Sequence, residues 1–211
     1  MSRWEPDARG RLEQAALRLF IERGFDQTTV VEIARRAGLT ERTFFRHFAD
    51  KREVLFWGAG ALQEFLVGAV ASAPDAATPI EAVVAAIETT GAIFEQRREL
   101  ARQRQSIIAA NAELQERELI KLATLTLALA GALRRRGVGE PDARLAAEAA
   151  IAVFRVAFDR WIADANGQDF PQVVREALDR LRAVTGGARP LVGVASPIAE
   201  PTAVTATARA G

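Results

Sequence analysis

The stretch that decides the fold is TTVVEIARRAGLTERTFFRHFADKR, residues 28–52. It indicates two short helices on either side of Gly38, because apolar residues recur at three- and four-residue spacing in each half. Gly38 can adopt the left-handed backbone conformation that ends the first helix without steric cost. Thr40 follows at the position of an N-cap, where its hydroxyl can accept a hydrogen bond from a free backbone N–H of the second helix.

The second of these helices has two faces of different chemistry. Phe44 and Phe48 are four residues apart and so share one face, which we expect to point inward. The opposite face carries the polar residues Arg42, Thr43, Arg46 and His47. An aromatic inner face and a cationic outer face, after a glycine turn, are typical of a helix-turn-helix recognition helix. The alternative is a short surface helix of a bundle, whose charges are merely solvated.

Composition narrows the possible functions. The chain has 211 residues, no cysteine, one histidine and a formal net charge of +1. Without cysteine there are no disulfides, thiolate metal sites or cysteine nucleophiles, and one histidine cannot form a multi-histidine metal site. The near-neutral total conceals a basic segment, because residues 9–52 hold ten Lys and Arg against six Asp and Glu. We therefore predict a local nucleic-acid interface, with no catalytic residue, no metal and no resident cofactor.

The remaining chain indicates an all-α protein. Strand-like alternation does not persist, and helix start signals such as Thr29-x-x-Glu32 and Thr78-x-x-Glu81 recur. About nine helices are expected, near residues 7–23, 30–37, 41–48, 51–71, 79–95, 98–109, 112–136, 141–165 and 170–184. These predict a DNA-binding domain over 1–50, a helical bundle over 51–185, and a disordered tail over 186–211. The tail is rich in Gly, Pro, Ala, Thr and Val and has almost no periodicity.

Membrane association is not expected. The first 30 residues are charged throughout and contain no signal-peptide apolar core. The apolar stretch over 122–133 is too short to cross a bilayer. We therefore expect a cytoplasmic protein without a membrane partner.

The N-terminal region resembles the tetracycline-repressor (TetR) family of bacterial transcription regulators, over about 50 continuous residues. The resemblance rests on Arg11, Ala15–Phe20, Gly24, Phe25, Thr28–Val30, Ile33, Ala34, Ala37–Thr40, Thr43–Phe45, His47, Phe48 and Lys51. The family's helical architecture and total length also agree with the rest of the chain. The resemblance implies a three-helix DNA-binding head, followed by a helical bundle that binds a ligand and dimerises.

Roles for individual residues follow from the same resemblance. The positions that match phosphate contacts are Thr28, Thr29, Thr40, Thr43, His47 and Lys51. The positions that face the major groove are Arg42, Thr43 and Arg46, and the two arginines can reach guanine O6 and N7 with two bonds each. Phe45 stands where the family usually has a tyrosine that contacts phosphate. It can keep the packing of that ring but not its hydrogen bond.

The resemblance also implies a homodimer through the eighth and ninth helices, over 141–165 and 170–184. The eighth helix is apolar on more than one face, with Ile151, Val153, Phe154, Val156, Phe158, Trp161 and Ile162. Such a helix can pack on its own domain and on a second copy, and a two-fold dimer can bind a palindromic site. The alternative is the ordinary core of a monomer.

A basic run over 97–104 contains four arginines in eight residues. Arg98 and Arg102 share a helix face and are candidates for an anion site at the mouth of a ligand pocket, although charge runs are usually solvated. The stretch over 97–136 is similar to a subgroup that includes the mycofactocin-system regulator, whose members are described as responding to long-chain acyl-CoA. The candidate ligand contacts are Arg98, Arg102, Phe94, Phe154, Phe158 and Trp161.

These expectations combine into one function. The chain is predicted to be a ligand-responsive regulator, a repressor that binds double-stranded operator DNA as a dimer and is released by a small hydrophobic or acyl-CoA-like effector. An activator or dual regulator would use the same head. More remote alternatives are a helical interaction protein that has lost DNA binding and an all-α enzyme. An enzymatic function lacks support because the sequence shows no pairing of a nucleophile with a general base.

Overall fold

A computed structural model describes residues 7–164 and 167–186 and confirms the all-α prediction there. Its helices are α1 (Ala8–Arg23), α2 (Val30–Arg36), α3 (Glu41–His47), α4 (Ala59–Ala71), α5 (Pro79–Glu88), α6 (Gly91–Gln96), α7 (Arg98–Ala109), α8 (Ala112–Arg135), α9 (Glu140–Ala163) and α10 (Phe170–Thr185). A 3-10 helix, Glu53–Leu55, precedes α4. The predicted disordered tail lies outside the described residues from residue 187 onward.

Two predicted helices are interrupted. The helix expected over 79–95 is divided into α5 and α6 at Thr89 and Thr90, whose hydroxyls donate to the carbonyls of Ala86 and Ile87. Such side-chain bonds to the preceding turn disturb a helix. The helix expected over 51–71 starts late, at Ala59, because Asp50 accepts hydrogen bonds from the backbone of residues 52 and 53 and starts the short 3-10 helix instead.

The head, α1–α3, is built as its sequence signals predict. Thr29 and Glu32 form a reciprocal capping box that starts α2. Gly38 has a φ of 68° and so makes the left-handed turn between α2 and α3. Thr40 caps α3 by accepting a hydrogen bond from the backbone N–H of Thr43 at 3.2 Å. The helix-turn-helix of residues 28–52 is thereby fixed by contacts between residues close in sequence.

The core of the head continues into the rest of the molecule. Phe44 and Phe48 of α3 pack in the same buried cluster as Val54, Leu55 and Phe56, which follow the predicted domain boundary at residue 50. Ile107, Ile108 and Leu114, from the adjoining ends of α7 and α8, belong to this cluster as well. The head therefore rests on α7 and α8 through a shared hydrophobic core.

The body, α4–α10, has its own core around α9. This helix packs against α5, α8 and α10. Small residues allow the close approach, since Ala143, Ala147, Ala150 and Ala157 are all fully buried. Trp161 closes the core near the end of α9, where its indole N–H donates to a carboxylate oxygen of Glu95 at 2.8 Å.

One stretch among the described residues, Glu53–Ala71, is long and apolar enough to cross a membrane by length and composition alone. It consists of the 3-10 helix, a turn and α4. Leu66 and Val70 from this stretch are buried in the body core.

Candidate nucleic-acid interface and ligand cavity

Helix α3 presents the predicted base-reading arginines to solvent. Phe44 is fully buried beneath it, while Arg42, Phe45 and Arg46 are exposed on the outside. Neither guanidinium is held by a hydrogen bond or an ion pair among the described residues. Phe45 packs edge-on against Phe44, with ring centroids 5.5 Å apart, so its position is fixed without a hydroxyl. This face is therefore open to a partner and is positively charged.

Three of the predicted phosphate-contacting threonines lie at the starts of α2 and α3. Thr29 and Thr40 are exposed and serve as N-caps. The hydroxyls of Thr40 and Thr43 are 2.9 Å apart. Backbone N–H groups and hydroxyls at the start of a helix suit phosphate oxygens, so the position is compatible with the predicted contacts.

Thr28 and Lys51 are bonded inside the head instead. Thr28 is 1% exposed and its hydroxyl donates to the carbonyl of Gly24 at 2.9 Å. The Lys51 ammonium donates to the carbonyls of Phe25, Asp26 and Thr28 at 2.7, 3.3 and 3.0 Å. It also lies 4.3 Å from the centroid of the Phe25 ring. A phosphate contact by either side chain would require these bonds to be given up.

His47 is half-buried at the edge of a crevice of about 370 Å³ between head and body. Its Nε2 atom is buried without a hydrogen-bond partner among the described residues. The crevice is also lined by Arg9, Asp50, Glu53, Trp57 and Arg117. Burial lowers the pKa of His47 below its ordinary 6.5, and the charges of Arg46 and Arg9 lower it further. Both effects favour the uncharged imidazole in the DNA-free protein, whereas a phosphate beside the ring would act in the opposite direction and raise its pKa.

The body encloses a cavity of about 770 Å³ between the 3-10 helix and helices α4 and α6–α9. Most of its lining is apolar and includes Leu62, Phe65, Ile93, Phe94, Phe154 and Phe158. Three of the predicted ligand contacts, Phe94, Phe154 and Phe158, thus lie at the cavity. Trp161 does not line it, because the indole is fully buried behind Phe158.

The structure corrects the predicted anion site at Arg98 and Arg102, since neither lines the cavity. Arg98 donates to the carbonyls of Trp161 and Asp164 at 2.5 and 2.9 Å. Arg102 donates to the carbonyl of Ile162 at 2.9 Å. Both cations therefore bind the carboxyl end of α9, where the helix dipole favours positive charge. The four-residue spacing of Arg98 and Arg102 correctly predicts that they share a helix face. It does not predict which helix packs against that face.

The basic run reaches the cavity through its other two arginines. Arg97 and Arg104 line the cavity together with Lys121 of α8, and we call these three the cavity cations. Arg104 is buried enough to lower the pKa of its guanidinium, an effect that the nearby Glu118 carboxylate opposes. Burial also raises the pKa of Asp159, another residue of the lining. No sequence signal separates Arg97 and Arg104 from their neighbours, since only tertiary packing decides which arginines face inward.

Each cavity cation also contacts the head or the 3-10 helix. Arg97 Nη2 lies 2.7 and 2.8 Å from the two carboxylate oxygens of Glu13 in α1. Arg104 Nε donates to the carbonyl of Leu55 at 2.6 Å, and its Nη1 lies 3.2 Å from Glu118 Oε1. Lys121 Nζ lies 3.2 Å from Glu53 Oε2.

Comparisons with known proteins agree with this architecture. The model of bacterial regulatory proteins of the tetR family matches residues 13–56, and that of the MftR C-terminal domain matches residues 77–186. The transcriptional regulator TcmR of Streptomyces glaucescens is 39% identical over 75 residues, 36% of this chain and 33% of that protein. The uncharacterised regulator Rv2250c of Mycobacterium tuberculosis is 38% identical over 55 residues, 26% of this chain and 29% of that protein. The chain thus spans about a third of the length of these curated relatives.

Solved structures share the fold over most of the chain. SmeT of Stenotrophomonas maltophilia, in complex with triclosan, has a TM-score of 0.60 at 23% identity and covers 92% of this chain and 99% of its own. FadR of Bacillus subtilis, in complex with stearoyl-CoA, has a TM-score of 0.58 at 21% identity and covers 82% and 96%. The head, the body and the order of their helices along the chain therefore all have counterparts in these structures. The chain belongs to the TetR family of DNA-binding transcription regulators, and its body is an MftR-type C-terminal domain.

Proposed function

We propose that this protein is a ligand-responsive repressor rather than an enzyme. It binds a palindromic operator as a homodimer and is released by a small hydrophobic or acyl-CoA-like effector. The observation that carries the proposal is the outer face of α3, where Arg42 and Arg46 are exposed above the buried Phe44 and have no bonding partner in the described part of the chain. Such a face fits the major groove, where an arginine can bond guanine O6 and N7 together.

In this proposal the two arginines read bases, while Thr29, Thr40 and Thr43 contact phosphates. The test is fluorescence anisotropy with the intergenic DNA upstream of the protein's own gene. Arg46→Ala is expected to weaken operator binding by about 10- to 100-fold and to relax sequence preference at one base pair. Arg135→Ala removes the same charge from an exposed position at the end of α8 and is the matched control. Equal affinities of wild type and Arg46→Ala would contradict the base-reading role.

Apolar residues exposed on the last two helices support the homodimer. Leu145 and Val156 of α9 are 67% and 52% exposed, and Ala152 lies between them on the same face. Val184 of α10 is 70% exposed. These positions agree with an isologous interface through α9 and α10, the helices expected over 141–165 and 170–184.

The interface is tested by placing a charge in it. Val156→Asp should convert the dimer to a monomer in sedimentation equilibrium and weaken operator binding, because two half-sites are no longer engaged together. Leu127→Asp is the control, since Leu127 is 56% exposed on α8 outside the proposed interface. A dimeric Val156→Asp variant would exclude this face as the interface.

The cavity supports the effector part of the proposal. Its volume of about 770 Å³ falls in the range of small-molecule sites, and its apolar lining ends in a charged region. The body matches the MftR C-terminal domain, and the resemblance to the mycofactocin-system subgroup is the reason for proposing an acyl-CoA effector. Dodecanoyl-CoA added to a formed operator complex should release the DNA, with free coenzyme A as the control. A complex that survives saturating dodecanoyl-CoA would exclude an acyl-CoA effector of this length.

A further inference from the structure

Each cavity cation lies in the wall of the cavity and also contacts α1 or the 3-10 helix. Arg97 holds Glu13 of α1, Lys121 holds Glu53 of the 3-10 helix, and Arg104 holds the carbonyl of Leu55. All three cations line the cavity, and so does Glu13, whereas Glu53 lies outside it and is also paired with Arg117 of α8. These contacts therefore join the wall of the ligand cavity to the part of the molecule that carries the DNA-binding helix.

These contacts can be exchanged because they are only partly buried. The side chains of Arg97 and Lys121 are 42% and 31% exposed. A carboxylate or phosphate that enters the cavity offers the same charge-assisted hydrogen bonds as Glu13 and Glu53 do. Lys121 uses its ammonium on Glu53 alone among the described residues, so a ligand anion can bind the same charge and compete with that carboxylate for it.

The polar end of the cavity has a distinct composition. Arg104 lies over the Phe56 ring, 4.9 Å from its centroid, and Glu118 accepts from both Arg104 and Gln105. The aromatic residues Phe94, Phe154 and Phe158 form another part of the lining. The cavity thus offers an apolar region to a hydrocarbon chain and a charged region to a polar end. In the charged region the cavity cations and Arg155 lie among three acidic residues, Glu13, Glu118 and Asp159.

We propose that Arg97, Arg104 and Lys121 form the subsite for the anionic end of an amphipathic effector, and that this anion releases the operator by exchanging ion pairs. The carboxylate or phosphate takes the donors that hold Glu13, Glu53 and the Leu55 carbonyl. The hydrophobic core shared with α7 and α8 and the Arg117–Glu53 pair remain, but the head loses the polar contacts that orient it over the cavity, and the affinity for two half-sites falls. This inference rests on the proposed function and deepens it. It assigns a negative charge to the effector. It also names the contacts through which effector binding lowers the affinity for DNA.

The test compares two probes that differ in charge at one end, dodecanoate and 1-dodecanol, on the full-length protein. Calorimetry should show that dodecanoate binds at least about tenfold more tightly than dodecanol. Saturating dodecanoate should raise the operator Kd by about tenfold, within the usual range of coupling between sites, and dodecanol should raise it less than about twofold. Equal binding and equal release by the two probes would overturn the inference, as would failure of dodecanoate to bind.

A double variant tests the exchange itself. Glu13→Gln with Glu53→Gln removes the carboxylates that the ligand is proposed to replace. The variant should bind operator more weakly without ligand, bind dodecanoate more tightly, and lose the coupling, so that dodecanoate changes its operator Kd by less than about twofold. Glu99→Gln is the control, because Glu99 pairs with Arg102 away from the cavity. Full coupling in the double variant would overturn ion-pair exchange.

Two further readouts keep the inference falsifiable. If the double variant unfolds, Lys121→Met replaces it and should weaken dodecanoate binding while leaving dodecanol binding unchanged. Equal loss of both probes in Lys121→Met would count against an anion subsite. If the wild-type protein binds no operator, the proposed function fails, yet calorimetry with the two probes still decides whether the subsite exists.

Discussion

Lys51 lies directly after the recognition helix and carries a positive charge, yet its ammonium is bonded to the protein itself. It satisfies three carbonyls of the loop between α1 and α2, at residues 25, 26 and 28. Sequence position alone makes it a candidate for phosphate contact. The structure indicates a contribution to folding, because Lys51 is the only donor among the described residues to the carbonyls of Asp26 and Thr28, while the Phe25 carbonyl also accepts from the backbone N–H of Thr28.

Lys51→Met should therefore lower the free energy of unfolding of the DNA-free protein by about 1–3 kcal/mol, since three carbonyls lose a donor. Urea unfolding followed by circular dichroism measures this. Arg18→Met is the control, because Arg18 is an exposed cation of α1 without a hydrogen bond among the described residues. A Lys51→Met variant as stable as the wild type, but much weaker in operator binding, would restore the phosphate role.

Gly38, in the turn between α2 and α3, is a residue of the head whose backbone conformation favours glycine. Its φ is 68°, and a Cβ there would lie 2.8 Å from the Nη2 atom of Arg11. Gly38→Ala should destabilise the protein by about 1–2 kcal/mol. Gly68→Ala should instead stabilise it by about 0.5–1 kcal/mol, because Gly68 is in α4 with open space around it. Thermal unfolding of the two variants measures both effects, and equal shifts would contradict the backbone argument.

Among the helices, the starts and turns marked by caps and by glycine were predicted. The break at Thr89 and Thr90 was not, because threonine hydroxyls also bond preceding carbonyls inside unbroken helices. Thr29 and Glu32 start α2 because the N-cap hydroxyl and the carboxylate are three residues apart and form a capping box. Gly38 makes the turn after α2 because glycine adopts a positive φ without steric cost. The division between α5 and α6 occurs where Pro171 of α10 packs on Gly91, with only 2.5 Å to a Cβ at that position. No sequence feature near residue 91 predicts the contact with Pro171.

The same limit applies to the candidate site. The outward arginines of α3 follow from a seven-residue helix with Phe44 on its inner face and the buried Phe48 as its C-cap. The cavity cations do not, because Arg97 meets a residue 84 positions away and Arg104 one 49 positions away. Helical periodicity gives the angle between side chains on one helix, and packing determines which neighbour each of them meets.

Arg98 gives a test of this reassignment at the level of helix packing. Arg98→Gln should lower the free energy of unfolding by about 1–3 kcal/mol, because the carbonyls at the end of α9 lose a charged donor. It should leave dodecanoate affinity within about twofold, since Arg98 lies outside the cavity. Urea unfolding and calorimetry supply the two measurements. A large loss of dodecanoate binding in a stable Arg98→Gln variant would return Arg98 to the ligand site.

In the whole molecule, several carboxylates are held in their charged form by native contacts. The pKa values of Glu22, Glu32, Asp50, Glu81 and Glu176 are all lowered by hydrogen bonds from arginine or threonine. A group whose pKa is lower in the folded state stabilises the protein above its unfolded pKa. That stability is lost as the pH falls through the folded pKa.

Acid should therefore unfold the protein, and Asp50 offers a test. Its pKa lies below the ordinary 3.8, chiefly because the Arg52 side chain donates to it. Asp50→Asn should lower stability at pH 7 and make the free energy of unfolding less dependent on pH between about pH 5 and pH 2. Asp75→Asn, at an exposed position between α4 and α5, should preserve the wild-type slope. Identical slopes in all three proteins would exclude a stabilising role for the Asp50 carboxylate.

The core shared by α3, α7 and α8 determines how this protein can be recombined with others. Ile108 and Leu114 are completely buried against the head although they lie far beyond it in sequence. A chimera joined at residue 50 would set a foreign head on these side chains and leave cavities or overlaps at the junction. The unit that can be transplanted is therefore discontinuous. It contains the first 56 residues together with the adjoining ends of α7 and α8, and operator specificity should be exchanged between relatives most cleanly in that form.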